Sequence, residues 1–395
     1  MLSDSMTGLL LKVKGFFLIL ILTASLLRAD YEYTISNTNF TLSQGSALPS
    51  EKKDYLYNYN RLRYRGDYTQ ENYFSTLIGD IVNYLGQDYI NSTTFNFVKG
   101  QASDTPFKTR TSYHGYDRGE VYAKLYRLYG GYEDDKNRLV VGLQNISMGV
   151  GRIWTPTNLY NPRNTYALEP DEVFGVAGIL YTRHLNETTE FTAIVSQKKD
   201  HSFKYGARIK SYLDFADVGL NLVSSDKTKM LGYELEGNLG DTGVEIRSEG
   251  AYIKNTLKSS LITEDEKEFF QGIVGADYGF ENGITLITEA LYSSQTFSYN
   301  EIFLNIDSEI ASNLYFSHFY AGATLSYAFN LFLDASLAYI ESFNDKNSRF
   351  ISPSVSYTLN DFNSFSIGAM IQNGPGGSEF GGFANTYYFK YSLSF

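Results

Sequence analysis

The sequence predicts an all-β fold, a transmembrane antiparallel β-barrel of about 18 strands, with about 16 as the alternative count, short periplasmic turns and long external loops. Three observations lead there. The chain ends in a strand of strict period 2, in which Tyr387, Phe389, Tyr391, Leu393 and Phe395 form one apolar row and Tyr388, Lys390, Ser392 and Ser394 the other. No stretch after residue 30 approaches the ~20 apolar residues of a membrane helix, so a membrane-spanning form has to be a closed barrel. The 395 residues include 34 Tyr and 28 Phe, against a hydrophobic total of only 43%. Tyrosine suits the water–lipid interface, because its ring is apolar and its hydroxyl is wetted.

Taken in order, residues 1–29 read as a secretory signal. Lys12 and Lys14 supply positive charge, 15–27 is an apolar core, and Ala29 is the expected cleavage position. The barrel domain then spans 30–395. Amphipathic runs follow one another through it. The expected short turns are 65–70, 133–137, 185–188, 215–217, 240–242, 280–283, 329–330 and 360–361, rich in the Asn, Asp and Gly of tight hairpins. The expected longer connections are 86–119, 149–172, 198–202, 255–267, 295–313, 344–347 and 373–382, so short and long links should alternate. If Phe395 ends in the periplasm, parity adds an ascending strand over 31–42. A barrel of this size leaves an aqueous channel, and no plug domain is expected.

Charge placement assigns the faces. An Arg or Lys on the lipid side near mid-membrane costs roughly 2–4 kcal/mol. Lys204, Arg208 and Lys210 should therefore line the pore, with Phe203, Tyr205, Ala207 and Ile209 on lipid. The same rule turns Arg61, Arg63 and Lys124 inward, and then Glu234, Glu236, Glu245, Arg247, Glu249, Asp277, Glu289 and Asp334. Basic residues fall mainly in the first half of the wall and acidic ones in the second. That order is either an accident of a wet lumen or a field across the pore.

The most distinctive segment is 148–174, MGVGRIWTPTNLYNPRNTYALEPDEVF. It holds the only Trp, Trp154, and three of the seven prolines; proline is poor within a sheet and good in a fixed loop. The run Gly149-x-Gly151-Arg152-x-Trp154-x-Pro156-Thr157-x-Leu159-x-Asn161-Pro162 resembles a segment of poorly characterised, porin-like outer-membrane proteins, in which a Gly/Trp-rich turn leads into a Pro-Thr-Asp-Leu-Phe/Tyr-Asn-Pro loop. Asn158 stands here where that segment carries Asp. The terminal aromatic strand resembles the closing strand, and assembly signal, of bacterial outer-membrane barrels. The resemblance implies a Gram-negative outer-membrane location. Large porins fold an early loop into the lumen, and 149–172 is the candidate constriction, with Arg152 and Arg163 facing Glu169, Asp171 and Glu172, beside Trp154. The competing reading is a rigid loop packed on the rim.

Other chemistries find little support. There is no Cys, hence no thiolate nucleophile and no Cys-based metal site. His114, His184, His201 and His318 have no partner at metal-ligand spacing, and no GxSxG elbow is present. The glycine-rich 374–382, GPGGSEFGG, lacks the Lys-Ser/Thr of a phosphate cradle and reads as a flexible loop. The formal charge is −11, and removing the signal (Asp4 against Lys12, Lys14 and Arg28, net +2) leaves −11 − 2 = −13, which argues against nucleic acid. No cofactor, metal or catalytic residue is expected. The expected partners are outer-membrane lipid, the barrel-assembly machinery through the C-terminal strand, small hydrophilic solutes and, as an option, two further copies in a homotrimer. The expectation is a porin for passive diffusion. The alternatives are a substrate-selective transporter or receptor, and a barrel enzyme or adhesion scaffold.

Overall fold

A computed structural model describes residues 30–46, 53–344, 346–382 and 384–395. The expected signal, 1–29, lies outside the described residues. One 19-stranded sheet forms. Its strands are β1 (Asp30–Gly45), β2 (Asp54–Gln70), β3 (Tyr73–Leu85), β4 (His114–Tyr116), β5 (Gly119–Glu133), β6 (Asn137–Gln144), β7 (Val176–Asn186), β8 (Thr189–Gln197), β9 (Phe203–Tyr212) and β10 (Asp217–Ser224), followed by β11 (Thr228–Asn238), β12 (Val244–Lys258), β13 (Glu264–Gly279), β14 (Ile284–Ser293), β15 (Phe319–Ala328), β16 (Leu333–Phe343), β17 (Ser348–Asn360), β18 (Asn363–Asn373) and β19 (Thr386–Ser394). β4 pairs only with β5, inside a connection, so 19 − 1 = 18 strands make the wall. Each pairs antiparallel with its neighbours, and β19 pairs with β1 to close it. Closure removes the free edges that an open sheet would expose.

Alternation sorts the faces as expected. Leu62 is 42% exposed where Arg61 is 7%. Phe203, Tyr205 and Ile209 lie open on the outer surface, whereas Lys204 is buried. On β19, Tyr387 and Phe389 are outside, while the Tyr388 ring packs edge-on to Phe40 within the lumen, 5.8 Å between centroids.

Three expectations on connections need correction. Residues 65–70 are strand, and the turn falls at 71–72, where Glu71 takes a positive φ of 51°. The link expected at 255–267 shrinks to 259–263, because the β12–β13 ladder continues as far as Lys258 opposite Glu264. The strict alternation of short and long links also fails, because the structure adds a short connection at 225–227, where Ser225 Oγ accepts the Thr228 N–H at 3.0 Å and closes a tight turn on the external side. Alternation therefore holds for the side of the membrane and fails for length.

The lumen differs more. In its external half the inner wall is apolar, and in-folded connections cover it. Phe40, Leu42, Tyr55, Tyr57, Val82 and Tyr84 pack against Tyr89 and Phe95, which sit on the short helices Gln87–Ile90 and Thr93–Gly100. Ser92 caps the second helix by accepting the Phe95 N–H at 3.0 Å. Ile194, Ile253 and Phe269 pack with Phe297, Ile310 and Leu314 of the connection 294–318. Ile273, Leu291, Tyr320 and Ile340 pack with Ile153, Trp154 and Phe380. Strands with two greasy faces are what a wall needs when lipid covers one side and folded loops the other.

Candidate channel constriction

The connection 145–175 leaves β6 at Gln144 and re-enters the wall at Val176. Between these points it crosses the lumen and touches opposite sides of the barrel. Prolines and short polar side chains shape it locally. Asn158 Oδ1 accepts the Asn161 N–H at 3.1 Å, and its amide donates to the Asn161 carbonyl at 2.8 Å. That closes a side-chain-stabilised turn ahead of Pro162. The amide at Asn158 thus has a structural task that a carboxylate could not perform as donor.

Three wall glutamates hold the first half of the crossing. Glu249 accepts the N–H groups of Val150 (2.8 Å), Gly151 (3.0 Å) and Thr157 (2.7 Å), and the Thr157 hydroxyl at 2.7 Å. Glu289 accepts those of Arg152, at 2.5 Å, Ile153, at 2.8 Å, and Trp154, at 3.1 Å. Glu234 takes the Gly149 N–H at 2.8 Å, together with Asn221 and Arg208. Glycine is required at 149, where φ is +93° and a Cβ would stand 2.6 Å from a Glu249 oxygen. The backbone thereby satisfies buried carboxylates that would otherwise be costly in the wall.

Side-chain charges anchor the rest. Arg152 reaches Glu236 at 2.9 Å, Glu245 at 2.8 Å and Asp277 at 3.5 Å on the acidic wall. Glu169 binds Arg61 at 2.8 Å and lies 3.5 Å from Lys390. Glu172 binds Arg63 at 2.8 Å, and Arg63 also holds Asp80 at 2.7 Å. Burial pulls the Glu172 carboxyl upward, but the Arg63 and Arg61 guanidiniums outweigh it and hold it below the ordinary carboxylate range. The segment carries its base to the acidic wall and its acids to the basic wall.

This corrects several assignments. Glu234, Glu249, Glu289, Arg247, Arg61 and Lys204 face inward but do not line water; all are buried, sealed by the crossing segment. Arg247 sits among Glu245, Asp277 and Glu289, and Lys204 donates to the Leu159 carbonyl at 2.9 Å. Glu169 and Glu172 do not oppose Arg152 across a gap. Arg163 pairs with Asp171 at 3.2 Å on its own segment. Trp154 is buried in the apolar cluster. Arg208 and Lys210 are paired with Glu234 and Asp217. Asp334 is exposed at the start of β16, apart from the rest. Of the charges on the crossing segment, the side chains of Arg152 (42% exposed), Arg163 (39%) and Asp171 (84%) are the wettest.

One functional candidate, Arg127, escaped the period-2 reading. Between β3 and β5 the register shifts, with Ile78 opposite Arg127 and Gly79 opposite Leu125, so Tyr126 is an extra residue. The bulge changes parity, and Tyr126 and Arg127 are both buried inside. Arg127 donates to the carbonyls of Tyr126 (2.8 Å) and Val173 (2.9 Å). Lys124 lies over the rings of Tyr126 (4.7 Å) and Phe174 (5.4 Å). A cavity of about 280 Å³ opens beside them, lined by Tyr126, Arg127, Tyr129, Arg138 and Asp171. Among the described residues no His/Cys/Asp/Glu group could hold a metal ion, and the His318 ring meets the Ser293 carbonyl, not a serine hydroxyl.

No protein-family model matches the chain, and no curated protein does. Solved structures do. OccAB1 of Acinetobacter baumannii superposes with a TM-score of 0.60 at 12% identity, covering 93% of this chain and 96% of that one. The fold is that of an outer-membrane porin. OpdK of Pseudomonas aeruginosa gives 0.56 at 9% identity over 93% and 98%. OccK8 (OprE) of the same organism gives 0.55 at 11% over 93% and 98%. The likeness runs over nearly the whole length of each, and at these identities it is a likeness of fold.

Proposed function

We propose that the chain is a porin of the bacterial outer membrane through which small hydrophilic solutes diffuse passively, with 149–172 as its constriction. The observation that carries this reading is the crossing segment itself. It is fastened at both ends to opposite walls and leaves Arg152, Arg163 and Asp171 as wet charges in its path. Screening acts over about 8–10 Å at physiological salt, so charges at the narrowest point govern selectivity. Arg152→Gln with Arg163→Gln should shift the reversal potential of single channels in a salt gradient towards cations. Deleting 155–168 should raise conductance. A folded deletion variant of unchanged conductance would sink the constriction while leaving the barrel intact. In this reading the lipid contacts the outer face, the terminal strand is the segment that the assembly machinery engages, a homotrimer is admitted, and no enzymatic step is involved.

A second reading, a selective channel for small aromatic carboxylates, is favoured by Lys124 and Arg127 beside Tyr126, Tyr129 and Phe174. Cations over ring faces and next to an aromatic-lined cavity suit an anion with a flat apolar body. The OpdK structure has also been solved with vanillate. Vanillate should then interrupt single-channel current, and Lys124→Gln should weaken the interruption; equal effects of vanillate and acetate would exclude selectivity.

A further inference from the structure

The glycine-rich segment 374–382 is not a free loop. Phe380 is 3% exposed and Glu379 8%. The Phe380 ring meets Tyr166 of the constriction segment at 5.4 Å and Phe350 of β17 at 6.1 Å. Its N–H donates to Ser348 Oγ at 3.3 Å. The turn that seats it is tight: Gly377 has a φ of +81°, and a Cβ at Gly381 would fall 2.0 Å from the Pro375 carbonyl. Glu379 thus enters an apolar cluster with Ile153, Trp154, Tyr315, Tyr320 and Ile340.

The carboxyl has no counter-charge there. The groups facing it are the Tyr320 hydroxyl of β15 and the Ser342 hydroxyl of β16, with Tyr166 of the constriction segment and Tyr315 of 294–318 nearby. One carboxyl oxygen has no hydrogen-bond partner. The nearest cation on the neighbouring connection, Lys346, is turned to the Gly376 carbonyl at 3.2 Å. Among the described residues no Lys, Arg or His forms an ion pair with Glu379. A buried ionised carboxylate without a cation is unfavourable, whereas a protonated one is a modest cost.

We propose that 374–382 is a proton-controlled latch over the external mouth of the barrel, seated on the constriction segment when Glu379 is protonated and released when it ionises. Burial pushes the seated carboxyl up to about 7 from its ordinary 4.5, against the lowering by the Tyr320 and Ser342 hydroxyls. The seated form therefore binds the proton more tightly than the released form. Seating is fully favoured below the ordinary value, weakens through the interval between the two, and is least favoured above about 7. The seated-to-released ratio should change by about two orders of magnitude across that window.

The single tryptophan reads the latch without reference to transport. Trp154 is 4% exposed within this cluster, so release should open it to acrylamide. For the full chain in detergent, the quenching constant should rise with pH across the interval between the ordinary 4.5 and about 7. Glu379→Gln should keep it low throughout, and Phe380→Ala should raise it at acid pH as well. Heat-modifiable migration on gels confirms that each variant is folded. Wild-type quenching that is flat across the window, or an unchanged step in Glu379→Gln, overturns the latch. A quenching step without a change in conductance supports the latch and counts instead against a solute path through this mouth.

Discussion

Glu249 illustrates how single residues set the shape of this lumen. On β12 it reads as one more inward charge, and it lies inward, but four donors of the crossing segment converge on its two oxygens. Its worth lies in what it would leave behind. A buried donor deprived of its acceptor costs about 1–3 kcal/mol, so Glu249→Ala should orphan several groups at once and detach 149–157 from the wall. The β-ladder around position 249 uses only backbone groups and should persist. Single-channel conductance should therefore rise in Glu249→Ala with heat-modifiability retained. Glu249→Gln keeps one acceptor oxygen and should give an intermediate increase. A barrel that falls apart on this change would mean that Glu249 serves the wall and not the segment. Glu289, with three donors from the next three residues, should behave alike.

At the scale of strands and loops, period 2 predicts side-chain direction but not exposure to water. Thiol labelling separates the two, because the chain has no Cys. Ala207→Cys and Ile209→Cys should resist small charged reagents in membranes, since both lie on the lipid row of β9. Lys204→Cys should resist them too, although it faces inward, because 145–175 covers it. Arg163→Cys, on the wet face of that segment, should react. Labelling at position 204 comparable to that at 163 would show the crossing segment displaced in the membrane. The wall was legible in the sequence, because lipid imposes one apolar face on every strand wherever the loops go. The crossing segment was legible as an unusual run with Trp154 and clustered prolines. Its contacts were not: whether Glu249 meets water or backbone N–H groups depends on residues about a hundred positions away, and no local pattern encodes that. Arg127 escaped for a local reason, the extra residue Tyr126 that shifts parity midway along β5.

For the whole molecule the decisive event is closure. The other wall strands pair with their neighbours along the chain, whereas the β1–β19 ladder joins the first and last strands of the barrel. Their ladder runs from Ser36 opposite Ser394 to Gln44 opposite Thr386. It is extended at the periplasmic end by Phe395, which exchanges both backbone hydrogen bonds with Ile35, at 2.9 and 3.2 Å. The Phe395 ring also lies 6.0 Å from that of Phe362, on the turn between β17 and β18. Deleting Phe395 removes two ladder bonds, each worth about 0.5–1.5 kcal/mol, and one anchor of the interfacial aromatic rim. The remaining ladder is long enough to keep a finished barrel closed, so the loss should appear in the yield of assembly more than in the stability of the product. The folded, membrane-inserted fraction should fall without a change in synthesis, while the fraction that inserts should keep wild-type conductance and heat-modifiability. Insertion at the wild-type level would show that closure does not depend on the terminal aromatic residue. Inserted barrels of altered conductance would place Phe395 in the pore and not at the seam.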